Sequence, residues 1–207
     1  MSWSLTLVVP EEPELLDLFF TAVGKSLYLS NGFEYKCSYL LRFIKISEHY
    51  FQTNDADATH ELAQALDDTM LGKSIAGLKD FPEFSAADIA LLHRGREARN
   101  FIAHEGAALG GIAVRGKHII ENIMKIRPVV TDLAHADNLV SRWLYEIEEQ
   151  QQATEMVQNY PVWVDRWVFR PVDEFLRDYR PIERKETGSE RILRMMNEPR
   201  KYPDYVR

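Results

Sequence analysis

His93, Arg96, Arg99, Asn100 and His104 fall within twelve residues of one another, in the run HRGREARNFIAHE. These side chains suit proton transfer and anion binding. An imidazole titrates near neutral pH and can give or take a proton. A guanidinium stays charged and presents a planar fork to a phosphate or carboxylate. On a helix turning by about 100° per residue, His93, Arg96, Glu97, Asn100 and His104 share one face, and Leu91, Ala98 and Ile102 lie opposite. Arg99 sits on the flank, with a side chain long enough to reach round. A solvated helix face with pairs such as Asn100/His104 accounts for the same pattern. Zinc is not expected: His93 and His104 stand about three turns apart, and no close His or Cys pair accompanies them. A serine triad has no nucleophile elbow to build on.

The segment Arg99-Asn100-Phe101-Ile102-Ala103-His104 resembles the Arg-x(4–6)-His motif of the HEPN superfamily, the higher eukaryote and prokaryote nucleotide-binding domains. In that family a polar residue, commonly Asn, follows the arginine, and small or apolar residues precede the histidine. The likeness extends over roughly residues 10–150 by helix pattern, and its sharp part is these six residues.

The resemblance implies an all-α, HEPN-like helical bundle. Many members are metal-independent endoribonucleases, often toxins of toxin–antitoxin or antiphage systems. Others lack nuclease activity and serve as nucleic-acid-binding, protein-binding or dimerisation modules. For a nuclease, the RNA supplies its own 2′-OH nucleophile. The protein must supply a base, an acid and a cation for the charge on phosphorus. His104 would then move protons, Arg99 would hold phosphate, and Asn100 would orient His104 or donate to a phosphate oxygen. No cofactor is implied. A homodimer would bring two motifs into one cleft, which His93 and Arg96 would line as RNA-binding residues. Glu97 and Glu105 would tether an arginine or histidine, or stand solvated. Some family toxins carry a tyrosine two residues after the histidine, which an antitoxin protein nucleotidylates. Gly106 stands there instead, a departure that puts this mode of control in doubt.

The elements that must position these residues read as helices. Residues 10–30 form one, opened by Pro and acidic residues and closed by SNG at 30–32. Residues 33–51 form a second, apolar over a wide face and so central. A third spans 53–71, capped by Asn54 or Asp55, with Leu62, Ala65, Leu66 and Thr69 as its stripe. Residues 72–84 read as a loop, and 85–106 as the motif helix with a Ser-x-x-Asp start. From Ile112 to about Gln152 the pattern is helical, with Pro128 expected to break or kink it. A short strand is conceivable only at residues 5–9. The domain is expected at 10–152 and a C-terminal extension at 153–207, its first half packed on the bundle and its end loosely held.

In the extension, Trp163, Trp167, Phe169 and Phe175 alternate with arginines, a pattern that anchors a tail or stacks on single-stranded RNA. His49, His60, His118 and His135 stand singly, and Cys37, the lone cysteine, reads as a small core residue. The net charge of −7 excludes a protein that coats nucleic acid by bulk electrostatics. The charge is uneven: residues 160–207 hold 11 Lys/Arg against 9 Asp/Glu, so a local basic site is allowed. With no apolar run of about 18 residues and no basic, apolar leader, neither a membrane span nor a signal peptide is expected, and a cytoplasmic location follows most simply.

Overall fold

The computed structural model describes residues 12–66, 70–107, 116–149 and 158–180. It is an all-α bundle, with 87% of those residues helical and no strand among them. The possible strand at 5–9 and the chain beyond residue 180 lie outside the described residues. No described helix is long and apolar enough to cross a membrane.

Helix α1 runs unbroken over Pro13–Thr53. The expected break at 30–32 does not occur, and the two helices expected there are one. Three local facts explain it. Ser26 and Ser30 donate their hydroxyls to the carbonyls four residues back, at 2.7 and 2.9 Å, so neither is left unpaired in the interior. Gly32 meets nothing within 4 Å of where a Cβ would stand. Leu29, Phe33 and Cys37 stay buried straight through the segment, and burying them outweighs a glycine penalty of about 1 kcal/mol. The helix stops at Asn54, whose φ of 51° turns the chain into the left-handed region.

Asp55 caps α2 (Ala56–Ala65) by accepting from the backbone N–H groups of Asp57 and Ala58. Leu62 and Leu66 are only half-buried, Ala65 is exposed, and Thr59 is the buried residue of this helix. Thr69 lies outside the described residues. The stretch expected to be a loop contains α3 (Leu71–Leu78). Its glycines masked a helical stripe of Leu71, Ser74, Ile75 and Leu78, all buried. Gly77 has a packing reason to be there, because a Cβ would stand 2.9 Å from Leu41 Cδ1 of α1.

Helix α4 (Ala86–His104) starts with the expected cap, a full capping box between Ser85 and Asp88. Helix α5 (Gly116–Glu149) runs through Pro128 without interruption. Helix α6 (Tyr160–Asp178) contains Pro171 in the same way. A proline has no N–H, so the Trp167 carbonyl loses its helical donor. Lys25 Nζ of α1 fills the vacancy at 2.7 Å.

Contacts along the helices give the layout. Glu12, just before α1, lies against Gly116, and Lys36 lies against Asp137, so α1 and α5 run parallel. Lys25 meets Trp167, and the Tyr179 hydroxyl donates to Glu12, so α6 runs antiparallel to both. The Phe84 ring packs on Trp143, and Gly95 packs on Ala136, so α4 is antiparallel too. Helices α4 and α6 each rest on both α1 and α5. Val164, Val168, Phe169 and Val172 of α6 belong to the same buried cluster as Phe19, Phe33, Leu92 and Leu133.

Two polar devices hold the register. Asp137, fully buried, accepts two hydrogen bonds from Lys36 Nζ at 2.9 and 3.0 Å and one from the Tyr160 hydroxyl at 2.5 Å. Lys36 also donates to Ser141 Oγ at 2.9 Å. Burial, and after it the Asp137 carboxylate, push the Tyr160 phenol and the adjacent Cys37 thiol far above their ordinary ranges, so both stay protonated. Arg127 of α5 grips α6 at Asp165 and again at Asp173, with four hydrogen bonds of 2.7–3.0 Å, and lies over the Phe169 ring.

The glycines sort into two classes with opposite expected effects. A Cβ at Gly95 would fall 2.4 Å from Ala136 Cβ and 2.9 Å from Phe33 Cζ. Gly95→Ala is therefore expected to destabilise by at least about 2 kcal/mol, against a helix-propensity gain of at most about 1 kcal/mol. Gly24 and Gly32 meet nothing, so Gly24→Ala and Gly32→Ala should each raise stability by about 0.5–1 kcal/mol. Thermal melts check both. A Gly95→Ala protein melting at or above the wild-type temperature would refute the close α4–α5 approach.

Candidate functional site

The buried residues of α4 are Ile89, Leu92, Gly95, Ala98 and Ile102. Leu91, expected in the buried face, is only half-buried. Steps of three predominate, and each such step lags a full turn by about 60°. The buried line therefore sweeps round α4 as it crosses its neighbours obliquely. A single inward face opposite a single outward one, as the spacing suggested, is replaced by a spiral.

The spiral divides the polar residues into two groups. His93 and Arg96 are half-buried and face α3, the helix that was expected to be a loop. Arg96 Nη1 lies 3.2 Å from where a Cβ on Gly72 would stand. His93 Nδ1 and Arg96 Nε are buried without a hydrogen-bond partner. Burial, with Arg96 and Lys79 beside it, holds the His93 imidazole below its ordinary value, against a smaller opposing effect of Glu97. Asn100 and His104, one and two turns further on, are exposed, as are Glu97 and Glu105.

Arg99 is held by a residue that spacing within α4 could not reveal. Its Nε and Nη2 donate to Glu34 Oε2 of α1 at 3.0 and 2.6 Å. Its Nη1 donates to Asn100 Oδ1 at 3.3 Å. The anticipated Asn100/His104 pair is absent, and Asn100 turns to its neighbour instead. Three of the five guanidinium N–H groups are thereby engaged, leaving one on each terminal nitrogen. These two N–H groups remain available to an anion. Glu34 did leave a trace in the sequence. Glu34 and Lys36 are charges set inside the most apolar stretch of α1, and each finds an opposite charge on another helix.

His104 is the last residue of α4 and hydrogen-bonds to nothing among the described residues. The turn after it is tight. The N–H groups of Glu105 and Gly106 both donate to the Phe101 carbonyl, at 2.8 and 2.9 Å. A Cβ at Gly106 would stand 2.6 Å from the Ile102 carbonyl oxygen. The turn that presents His104 therefore excludes a tyrosine, or any side chain, at 106. Among the described residues no three His, Cys, Asp or Glu side chains gather as a metal ion would require.

No family model, curated protein or solved structure matches this chain.

The His93 environment gives a pH dependence. A histidine whose folded value is depressed stabilises the fold in its neutral form. That stability is complete above the ordinary imidazole value of about 6.5 and is lost as pH falls below it. The melting temperature should drop between about pH 7.5 and about pH 5.5, and His93→Gln should make the drop smaller. Equal slopes in the two proteins would show that His93 protonates freely in the fold.

Proposed function

We propose that the protein is a metal-independent endoribonuclease of HEPN type, acting as a homodimer in a prokaryotic toxin–antitoxin or antiphage defence system. The reading rests on one arrangement. Glu34 holds Arg99 with two N–H groups to spare, and an exposed histidine stands five residues further along the same helix. In the reaction the 2′-OH attacks phosphorus and the 5′-oxygen leaves. Arg99 stabilises the charge that builds on the phosphoryl oxygens. His104 takes the 2′-OH proton, and its counterpart in the second copy protonates the leaving oxygen. Dimerisation has a candidate surface on the outer face of α1. Tyr35, Tyr39, Phe43 and Tyr50 are exposed there at helical spacing, and the Tyr35 and Tyr39 rings stack on each other. Because Gly106 leaves no room for a tyrosine, an antitoxin partner would act by binding rather than by nucleotidylation at that position.

A second reading has an observation in its favour. Glu34 already neutralises Arg99, as an ion pair between two helices of a catalytically silent HEPN-like module would. Such a module would bind nucleic acid or protein and cleave neither.

Kinetics separate the two. In the enzyme, His104→Ala should slow cleavage of a mixed RNA pool by about 10²–10⁴-fold. Arg99→Ala should slow it by about 10²–10³-fold. Glu34→Ala, which frees the arginine to swing, should cost about tenfold or more, since misplacement alone costs up to about 10²-fold. Intact RNA with all four proteins, together with a lower melting temperature for Arg99→Ala, would establish the silent module. Cleavage should also persist in EDTA and leave a 2′,3′-cyclic phosphate. Loss of cleavage on chelation, restoration by Mg²⁺ and 5′-phosphate products would instead indicate a two-metal nuclease.

A further inference from the structure

Helix α6 does its anchoring with one set of residues and leaves another set outside. Val164, Val168, Phe169 and Val172 are buried, and Arg127 fastens the helix through Asp165 and Asp173. Trp163 and Trp167, one turn apart on the opposite face, each remain 45% exposed. Their rings are not needed to fix the helix, and large exposed indoles cost solubility unless something uses them. Arg166 and Arg170 alternate with them on that face. Arg170 is paired with Glu174, whereas Arg166 has no partner among the described residues.

Helix α1 extends this surface. Tyr28, 75% exposed, meets Trp167 edge-on with ring centroids 6.2 Å apart. Lys25 Nζ sits 5.5 Å from the Trp167 ring centroid. It is held there by its hydrogen bond to the carbonyl that Pro171 leaves without a donor. The proline thus fixes a cation beside an indole. Flat π-faces alternating with cations match a ligand of alternating flat rings and phosphates.

We propose that Trp163, Trp167 and Tyr28, with Lys25, Arg166 and Arg170, form a stacking platform that binds single-stranded RNA apart from the Arg99–His104 motif. The proposal deepens the ribonuclease reading and rests on it for the identity of the ligand. The bases stack on the exposed rings, and the phosphates run along the cations. Duplex RNA, whose bases are already stacked and paired, offers the rings nothing. The platform is sequence-tolerant, since every base has a π-face.

The test uses the full chain carrying His104→Ala, so that binding is read without cleavage. The probe is a fluorescein-labelled oligouridylate of about 12 nucleotides, followed by anisotropy at low salt. Binding is expected, with Trp163→Ala/Trp167→Ala weakening it by at least about tenfold. Arg166→Glu should weaken it and flatten its salt dependence. A matched RNA duplex should bind at least about tenfold more weakly than the single strand. Thermal melts of both variants should stay close to that of the parent, because the substituted groups are not in the core. Absence of binding, equal binding by the double tryptophan variant, or equal binding of duplex would each overturn the platform. So would a tryptophan variant that turns a dimer into a monomer by light scattering, which would make this face a protein interface. The two readings fail separately. RNA cleavage by the wild-type protein without oligouridylate binding removes the platform alone. Oligouridylate binding without cleavage removes the nuclease alone.

Discussion

Asp137 is the only charged side chain fully buried among the described residues, and the packing of three helices is arranged around it. A carboxylate in the interior is strongly unfavourable unless it is paired and hydrogen-bonded. Here the compensation comes from α1, through Lys36, and from α6, through Tyr160. Neither partner can move away without leaving a bare charge, so both helices are tied to one level of α5. A wholly apolar seam would permit sliding by a turn, whereas this contact does not. Burial first, and the same carboxylate second, keep the Tyr160 phenol and the Cys37 thiol protonated.

With α1 and α5 fixed, the remaining geometry follows from how closely the backbones approach. Gly95 lets α4 lie against Ala136 and Phe33, and Gly77 lets α3 lie against Leu41. These approaches tilt α4 so that its buried line spirals, and α3 comes to cover the first half of its polar face. The second half, carrying Asn100 and His104, remains open. Arg99 falls where α4 passes α1, and Glu34 takes it up. The candidate site is thus a product of helix crossing: one helix supplies the histidine and arginine, and another holds the arginine in place.

Prolines inside helices have a similar logic. Pro128 and Pro171 each interrupt a hydrogen-bond ladder, yet both helices continue, because packing along their length outweighs one lost bond. At Pro171 the orphaned carbonyl became an anchor for Lys25. A defect in one helix thereby fixes a cation on another, beside the exposed tryptophan.

The sequence alone determined that the chain is helical, that Ser85 starts one helix and Asn54 or Asp55 another, and that Arg99, Asn100 and His104 share one short segment. These are local matters: capping and side-chain spacing act within one or two turns, so they are written in consecutive residues. The same local rules failed at SNG and at the glycines of α3, where they marked a break and a loop that did not form. There the deciding energy came from burial against other helices, as for Phe33 and Cys37 of α1 or Leu41 packing on Gly77. Only the tertiary structure assigned Glu34 to Arg99 and Lys36 to Asp137. The charges were visible inside an apolar stretch, but an ion pair between helices is chosen by their packing. Sixty-five residues separate Glu34 from Arg99, and no periodicity reaches that far.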